Sequence, residues 1–267
     1  MLILLPPSET KRDGGNSDPL DLGSLAFPAL TPLRRRAITS VRSLARNRSA
    51  TIAALKLGPK QHAEVERNRL VAASPTMPAI DRYTGVLYDA FGADSLSAAQ
   101  RTFAHDHVAI HSALLGPVAA LDLIPAYRLS FDSRLPTLSL RKHWSSPVSA
   151  ELGKHDGLIL DLRSEGYARL GASPDRRNSL YVRVVTRDEN GQKRALNHFN
   201  KQAKGLFVRA IVSSGVVLDD TLSLLDWAAT EGYEMSIVAG ELEIVVPAVT
   251  GDAGSLMASL RPVDRRF

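Results

Sequence analysis

A group of polar side chains follows the first apolar run of the chain. The run from Leu2 to Leu5 is short and wholly apolar, as a buried strand is, and Pro6-Pro7 ends it because proline has no N–H to donate to a neighbouring strand. Ser8, Glu9 and Lys11 come directly afterwards. Since open α/β sheets place ligands at the carboxyl ends of their strands, these side chains are candidates for one wall of a ligand site. An ordinary surface turn is the alternative.

Two lysines near the end of the chain are candidates for holding an anion. Lys201 and Lys204 lie three residues apart in a segment that the apolar spacing predicts to be helical, so they project toward one side of the helix. Gly205, which follows them, permits close approach of a ligand or of another backbone. A Lys-x-x-Lys pair on a solvated helix face is the alternative.

The standard catalytic and nucleotide-binding signatures are missing. There is no phosphate loop ending in Gly-Lys-Ser/Thr, no Gly-x-Gly-x-x-Gly after a strand and no Gly-x-Ser-x-Gly. His105-Asp106-His107 and His111 have the residue types of a metal cluster, but the apolar run that follows favours a strand and no distant carboxylate completes the set. We therefore predict structural histidines, with no metal and no cofactor.

Composition indicates a soluble, cytoplasmic, globular protein. The chain has 267 residues, of which 44% are hydrophobic, and it contains no cysteine, so disulfides and thiolate metal sites are excluded. No apolar window is long enough to span a bilayer. The net charge is +5, and the stretch from Arg34 to Arg48 holds six arginines and no acidic residue. Such a field suits DNA or RNA, and a solvated basic helix face is the alternative.

Hydrophobic spacing and turn residues predict a mixed α/β (α+β) fold. We expect a single compact domain over residues 1–267, with a central mixed sheet, flanking helices and a helix-hairpin-helix-like excursion near residues 31–75. Asn190-Gly191 predicts a hairpin between two strands. The predicted helices are 31–45, 50–57, 60–72, 81–91, 97–105, 200–212 and 219–229. The predicted strands are 2–5, 108–115, 156–162, 179–186, 193–197, 233–238 and 241–246.

Short motifs in a fixed order run through nearly the whole chain. They are Leu2 to Lys11, Tyr83-Thr84-Gly85-Val86-Leu87-Tyr88, Asp122-Leu123-Ile124-Pro125-Ala126-Tyr127-Arg128-Leu129, Trp144, Asp161-Leu162-Arg163-Ser164-Glu165-Gly166-Tyr167, Lys201-Gln202-Ala203-Lys204-Gly205 and Gly232-Tyr233. In these motifs and their spacing the chain resembles the YaaA family of peroxide-stress proteins.

The resemblance implies a cytosolic, monomeric protein that binds DNA and limits damage under hydrogen peroxide, and this is the function that we favour from the sequence. In the family, DNA binding is linked to a helix-hairpin-helix element and a positively charged cleft. The best match here is Leu55 to Ala63, where a helix N-terminus would present backbone N–H groups to a phosphate. Two helices joined by Gly-Pro without a ligand are the alternative. The predicted DNA-binding residues are Arg42, Arg46, Arg48, Lys56, Gly58 and Lys60.

The alternative function is that of an enzyme acting on a small phosphorylated or nucleotide-like substrate. Polar residues of the matched motifs would then converge in one anion-holding pocket, with Glu9 or Glu165 as the acid/base group. Among the other residues we expect Lys11, Arg128, Lys201 and Lys204 to bind the anion. The full set of predicted pocket residues is Ser8, Lys11, Asp122, Tyr127, Arg128, Ser164, Tyr167, Lys201 and Lys204.

The chain departs from the family pattern at three positions. Leu115 and Ala119 stand where the family usually has a tyrosine and an arginine, so any role that depends on those two side chains is in doubt. Lys204 stands where the family usually has an arginine. This exchange keeps a cation but replaces the forked guanidinium by an ammonium.

Overall fold

The apolar run Leu2–Leu5 forms the central strand of the main sheet. In the computed structural model, which describes residues 1–187, 192–195 and 199–246, a parallel strand is hydrogen-bonded to it on each side. Ile3, Leu4 and Leu5 are fully buried. Their continuous apolar pattern is typical of a parallel strand that is covered on both faces.

The elements follow one another with short connections. The strands are β1 (Leu2–Leu5), β2 (Ser17–Pro19), β3 (Pro75–Pro78), β4 (Val108–Ser112), β5 (Gly116–Ala119), β6 (Leu123–Ile124), β7 (Ile159–Asp161), β8 (Ser179–Arg187), β9 (Lys193–Ala195), β10 (Glu234–Val238) and β11 (Glu241–Val246). The helices are α1 (Thr31–Leu44), α2 (Arg48–Leu55), α3 (Ala63–Leu70), α4 (Ala79–Arg82), α5 (Val86–Phe91), α6 (Ala98–His107), α7 (Leu140–Leu152), α8 (Glu165–Ala168), α9 (Asn200–Ser214) and α10 (Thr221–Thr230).

The main sheet is mixed, with a parallel centre. Its strand order is β10-β11-β8-β7-β1-β4-β5, and β9 pairs with β8 outside this order. The strands from β11 to β4 run parallel to their neighbours, whereas β10, β5 and β9 are antiparallel to theirs. A second, antiparallel sheet has the order β2-β3-β6. The predicted mixed α/β class with a central mixed sheet is thereby confirmed.

The connections between strands change direction at β1. From β1 the chain crosses to β4 on one side, whereas β7 and then β8 are added on the other side. In open α/β sheets a ligand crevice forms at such a switch point, outside the carboxyl ends of the strands. The segments that follow β1 and β7 therefore flank the natural place for a site.

One cluster of buried apolar side chains extends from Met1 to Val246 through the described residues. Helix α9 packs against α5 and α6 on one side of this core. None of the helices in the described ranges is long and apolar enough to cross a membrane.

Most predicted elements are present, and their differences from the prediction have identifiable structural causes. The predicted helix 81–91 is split into α4 and α5, because Tyr83 pairs with Lys11 through a β-bridge and Gly85 has a φ of 99°. The predicted helix 60–72 begins as a 3-10 turn, Pro59–Gln61, before α3. Strands β8 and β9 pair as predicted, while Asn190-Gly191 lies outside the described residues.

Candidate functional site

A cavity of about 820 Å³ opens at the carboxyl ends of β1, β7 and β8. Six segments line it, all of them brought to this edge by the sheet or by the helices beside it. They are residues 6–9 after β1, 84–88 at the start of α5, 130–131, 162–167 between β7 and α8, 181–185 in β8 and 200–204 at the start of α9. The cavity thus lies at the switch point of the sheet.

Most of the predicted pocket residues meet in this cavity. Three of the polar segments that the sequence singled out come together here, although almost two hundred positions separate the first from the last. The residues of the prediction that line the cavity are Ser8, Glu9, Ser164, Glu165, Tyr167, Lys201 and Lys204.

Lys11 lies behind the wall of the cavity rather than in it. Its ammonium is buried and donates hydrogen bonds to the backbone carbonyls of Ser8 at 2.9 Å and Glu9 at 3.2 Å. Its Nζ also lies 4.2 Å from the centre of the Tyr127 ring. Burial, helped by the positive charge of Arg128, lowers the pKa of Lys11 to about 7. Two of its N–H groups thus bind the Ser8–Glu9 segment, and Lys11 is not among the residues that line the cavity.

Arg128 and Tyr127 are also behind the cavity. Arg128 Nη2 donates a hydrogen bond to the Glu9 carboxylate at 2.6 Å, which makes it an indirect support of the same wall. The Tyr127 hydroxyl shares hydrogen bonds with Ser112 Oγ at 2.7 Å and with the Tyr83 hydroxyl at 2.8 Å. Burial raises the pKa of Tyr127 well above its usual value, so this hydroxyl stays protonated.

Asp122 is not part of the cavity. Its Oδ2 accepts hydrogen bonds from the backbone N–H groups of Ala26 and Ala119, both at 2.9 Å. Burial raises the pKa of this carboxyl, although the two N–H donors act in the opposite direction. The carboxylate ties the turn after β5 to the segment before α1. The sequence placed Asp122 in the pocket because it lies in a matched motif, but its hydrogen bonds give it a structural role elsewhere.

The two lysines of α9 differ in their surroundings. Lys201 is exposed, whereas Lys204 is only 6% exposed and donates a hydrogen bond to the Leu162 carbonyl at 3.0 Å. Burial lowers the pKa of Lys204 to about 8, and Asp161 opposes this effect. No carboxylate oxygen of the described residues lies within 4 Å of Lys204 Nζ. The helix thus delivers one exposed and one buried cation to the cavity.

Gly205 provides a close approach between two backbones. A Cβ on Gly205 would lie 2.2 Å from the carbonyl oxygen of Leu87 in α5. Of the two roles that the sequence left open for this glycine, the structure assigns it to packing of α9 on α5. Because Leu87 lines the cavity, this packing also sets the distance between the two helical walls.

The two candidate acid/base carboxylates are at the rim. The Glu9 side chain is 61% exposed and is paired with Arg128. The Glu165 side chain is 65% exposed and has Arg169 Nη1 at 3.9 Å and Arg183 Nη1 at 4.0 Å. Both line the cavity and face solvent as well.

Aromatic residues and one arginine that the sequence reasoning missed complete the cavity. Tyr181 and Arg183 lie two residues apart in β8, so their side chains point to the same face of the sheet. The guanidinium carbon of Arg183 lies 5.4 Å from the centre of the Tyr181 ring. Arg183 also forms an ion pair with Glu241. Tyr88 lines the opposite wall, and its hydroxyl donates to the Pro6 carbonyl at 2.7 Å. The period-two alternation within the predicted strand 179–186 was the signal that could have identified the first two.

A buried ion pair stabilises the backbone at the end of β7. Arg163 donates to both oxygens of Asp161, at 2.8 and 2.6 Å, and to His111 Nδ1 at 2.6 Å. Burial and the charge of Arg163 lower the pKa of His111 well below its usual value, which keeps the imidazole neutral. His107 Nδ1 lies 3.1 Å from the Met1 carbonyl oxygen. In the described part of the chain, no group of three or more histidine or acidic side chains is placed to hold a metal ion.

The predicted DNA-binding residues are not among those that line the cavity. Arg42, Arg46 and Arg48 are exposed around the junction of α1 and α2, and Lys60 is exposed in the 3-10 turn before α3. Arg34, which opens the basic run, is instead fully buried and donates to backbone carbonyls, among them that of Leu115 at 2.9 Å. The basic face therefore begins after it.

The hairpin between α2 and α3 uses its own polar groups. Lys56 forms an ion pair with Asp132 at 2.8 Å. The Gly58 N–H, which the sequence offered to a phosphate, donates to Gln61 Oε1 at 3.0 Å. Glu64 also follows in the first turn of α3. These contacts reduce what the hairpin turn itself can offer to an anion.

Of the three departures from the family pattern, Lys204 lies in the cavity and the other two do not. Leu115 and Ala119 are buried beside β5, and neither is among the residues that line it. A role that depended on the missing tyrosine and arginine would have been carried out away from this cavity.

The fold and the cavity define an open α/β protein with a polar and aromatic crevice at the switch point of its sheet. A family model described as "Peroxide stress protein YaaA" matches residues 1–237. The chain belongs to this family of peroxide-stress proteins, as its motifs predicted.

Curated relatives match over most of the chain. A UPF0246 protein of Corynebacterium efficiens is 39% identical over 254 residues, which cover 93% of this chain and 100% of that protein. A UPF0246 protein of Streptomyces coelicolor is 35% identical over 243 residues, which cover 90% of this chain and 93% of the relative. A more distant UPF0246 protein of Janthinobacterium is 26% identical over 257 residues, covering 90% and 95%.

Proposed function

We propose that this peroxide-stress protein binds a small phosphorylated, nucleotide-like ligand in the cavity at the carboxyl ends of β1, β7 and β8. The observation that carries the proposal is the convergence of polar residues from separate motifs on one cavity that also has aromatic walls. Lys201, Lys204 and Arg183 supply positive charge, and Tyr88 and Tyr181 supply flat apolar surface. A phosphate and a ring or sugar match this combination of surfaces.

The buried charge of Lys204 supports an anionic ligand. Without a carboxylate partner, a buried ammonium costs free energy, and the lowered pKa of Lys204 reflects that cost. A phosphate held nearby by Lys201 and Arg183 would offset part of this cost. Lys201, on the preceding turn of the same helix, would bind the same group from the solvent side. If the ligand reacts, Glu9 and Glu165 are the carboxylates within the cavity that can transfer a proton.

Titration calorimetry with adenosine 5′-monophosphate, ribose 5-phosphate and inorganic phosphate tests this proposal. We expect Lys201→Glu to weaken binding by about tenfold, which corresponds to about 1.4 kcal/mol. Lys142→Glu is the matched control, because Lys142 is an exposed helical lysine that does not line the cavity. Equal effects of the two substitutions, or absence of binding for all three compounds, would contradict the proposal.

DNA binding is the second candidate function, and the exposed arginines at the junction of α1 and α2 favour it. Arg35, Arg36, Arg42 and Arg46 are exposed, and within the described ranges none of them has an acidic partner within 4 Å. Unpaired arginines on one face suit phosphate contacts that do not read bases. We place the contact surface on these helices and not at the amide of Gly58, which already has a partner.

Salt-dependent binding to a DNA duplex tests the second function. Affinity should fall steeply with salt and vary little with sequence. We expect the double substitution Arg42→Glu and Arg46→Glu to reduce the slope of log affinity against log salt by about 2, because each lost phosphate contact removes about 0.9. Arg177→Glu, an exposed arginine before β8, is the control. A slope that both variants share with the wild type would exclude this surface.

A further inference from the structure

We propose that the side-chain amine of Lys204 forms an imine with a phosphorylated aldehyde that enters the cavity. The inference rests on the proposed binding of a phosphorylated ligand, and it adds the reacting group and the chemical class of the substrate.

The contacts of Lys204 are those of an amine that can lose its proton and react. An ammonium can donate three hydrogen bonds. Among the described residues, the Nζ of Lys204 donates one, to the Leu162 carbonyl. None of the carboxylates in the described ranges is close enough to form an ion pair with it. Lys11, which is buried as well, lies outside the cavity and is held by two carbonyls. Lys204 is therefore the buried lysine that an entering ligand can reach.

The surroundings of Lys204 favour the neutral amine. The Nζ lies 5.5 Å from the centre of the Tyr181 ring, and the Arg183 guanidinium lies 5.4 Å from the same ring centre, so that a second positive charge is nearby. Burial, helped by this charge, lowers the pKa of Lys204. Leu162 and Val182 add apolar surface nearby. With its pKa lowered to about 8, roughly a tenth of the lysine is unprotonated at neutral pH. A desolvated lysine beside another cation is a recognised form of activated nucleophile.

The neighbouring cations would hold the other end of the substrate. Lys201 lies one helical turn before Lys204 and is exposed to the cavity, and Arg183 lies on the adjacent strand. A phosphate bound by these two side chains would leave a short carbon chain to reach Lys204. An aldehyde at the end of that chain would then meet the amine.

The reaction needs no further reagent. The amine nitrogen of Lys204 adds to the aldehyde carbon, and one proton moves from nitrogen to the former carbonyl oxygen, which gives a carbinolamine. The carbinolamine then loses its hydroxyl group together with the remaining N–H proton as water. The product is a C=N bond between Lys204 and the substrate, with no change in oxidation state.

Two sources could provide this chemistry. One is a free sugar phosphate in its open-chain form, and the other is the open-chain deoxyribose at an abasic site of DNA, which is an aldehyde joined to a phosphate. Both present the same two groups to Lys201 and Lys204.

Reductive trapping of the wild-type full chain tests the inference. The protein is incubated with ribose 5-phosphate and cyanoborohydride, which reduces the C=N bond to a stable amine. Intact mass spectrometry should reveal one adduct whose mass is that of the sugar phosphate less one oxygen atom. Peptide mapping should place the adduct on Lys204. Equal labelling of Lys201, Lys142 and other exposed lysines would overturn the proposal.

Ribitol 5-phosphate separates the inference from the proposed function. This compound has the phosphate but no aldehyde, so it should bind, form no adduct and suppress labelling of Lys204 by ribose 5-phosphate. If both compounds bind and Lys204 is not labelled, the imine is overturned and the proposed phosphate binding stands. If neither compound binds, the proposed phosphate binding is overturned as well. Lys201→Gln keeps the Lys204 amine and should slow labelling by about tenfold.

The same trapping with an abasic oligonucleotide identifies the source. A cross-linked protein–DNA species mapped to Lys204 would support the abasic site, and labelling by ribose 5-phosphate alone would support a free sugar phosphate. Lys204→Arg, which preserves the positive charge, should form neither adduct. Failure of both probes to label the wild-type Lys204 would overturn the inference.

Discussion

The Glu9 carboxylate accepts a hydrogen bond from Arg128 Nη2 at 2.6 Å, although 119 residues separate the two in the chain. The pair joins the segment after β1 to the segment after β6 at the rim of the cavity. Its two members differ in exposure, because the Arg128 side chain is 11% exposed and that of Glu9 is 61% exposed. Loss of Glu9 would therefore leave a nearly buried guanidinium without its partner.

A double-mutant cycle with Glu9→Gln and Arg128→Gln should give a coupling energy of about 1 kcal/mol in urea unfolding. Because Glu9 is largely exposed to solvent, this coupling energy is smaller than that of a fully buried ion pair. The pair Glu66–Arg69, in which both side chains are 54% exposed, is the control and should couple more weakly. Equal coupling in the two cycles would contradict a supporting role for the Glu9–Arg128 pair.

Lys11→Met should change how stability depends on pH. The pKa of Lys11 is about 7 in the folded protein, below its ordinary value of 10.5, so between these values the unfolded chain binds more protons. Lys11 therefore lowers stability in full at and below about pH 7, and this cost is lost as the pH rises from there toward 10.5. Relative to Lys11→Met, the wild type should gain about 1 to 2 kcal/mol between about pH 7 and about pH 9.

Urea unfolding at a series of pH values measures this difference. Lys142→Met is the control, since the side chain is exposed, and its difference from the wild type should stay constant. A constant difference for Lys11→Met as well would mean that the buried ammonium keeps its ordinary pKa.

Gly205→Ala should destabilise the protein by about 2 kcal/mol, because the new methyl group would overlap the Leu87 carbonyl and the Ala90 side chain. Gly58→Ala provides the control. Its Cβ would meet its nearest neighbour at 3.8 Å and its φ is −72°, so we expect a change within about 0.5 kcal/mol. Thermal unfolding of the two variants compares them directly. A Gly205→Ala protein as stable as the wild type would contradict the backbone contact between α5 and α9.

Arg163→Met should destabilise the protein by about 3 to 5 kcal/mol, because it leaves the buried Asp161 carboxylate without its guanidinium. Arg169→Met is the surface counterpart. Its side chain is 58% exposed and 3.9 Å from Glu165, and we expect its loss to cost less than about 1 kcal/mol. Urea denaturation of both variants gives the comparison, and similar losses would mean that Asp161 finds other partners.

Local sequence signals were sufficient for most of the fold. The apolar run before Pro6 predicted β1, and Thr31-Pro32 with the spacing that follows predicted α1. The break between α4 and α5 was missed because it depends on the bridge between Lys11 and Tyr83, two residues that are distant in the sequence. Contacts of that kind leave no mark in a window of neighbouring residues.

Residue types identified much of the cavity but not the direction of each side chain. The spacing of Lys201 and Lys204 put both on one side of a helix, yet it could not tell that α9 would bury the second and expose the first. Lys11 was assigned to an anion because it follows a strand, whereas the carbonyls of its own loop bind it. Arg34 was counted in the basic run from Arg34 to Arg48, although the backbone around β5 encloses it. Each difference depends on tertiary packing.

The residues that line the cavity come from separate segments between residue 6 and residue 204, and each segment contributes only one wall. Consequently, no fragment of the chain would form the site by itself, and no single segment grafted onto another scaffold would reproduce it. It also means that the binding free energy of any occupant is added to the stability of the whole assembly of strands and helices. Ligands can therefore be sought by their effect on the melting temperature alone, before any reaction is known.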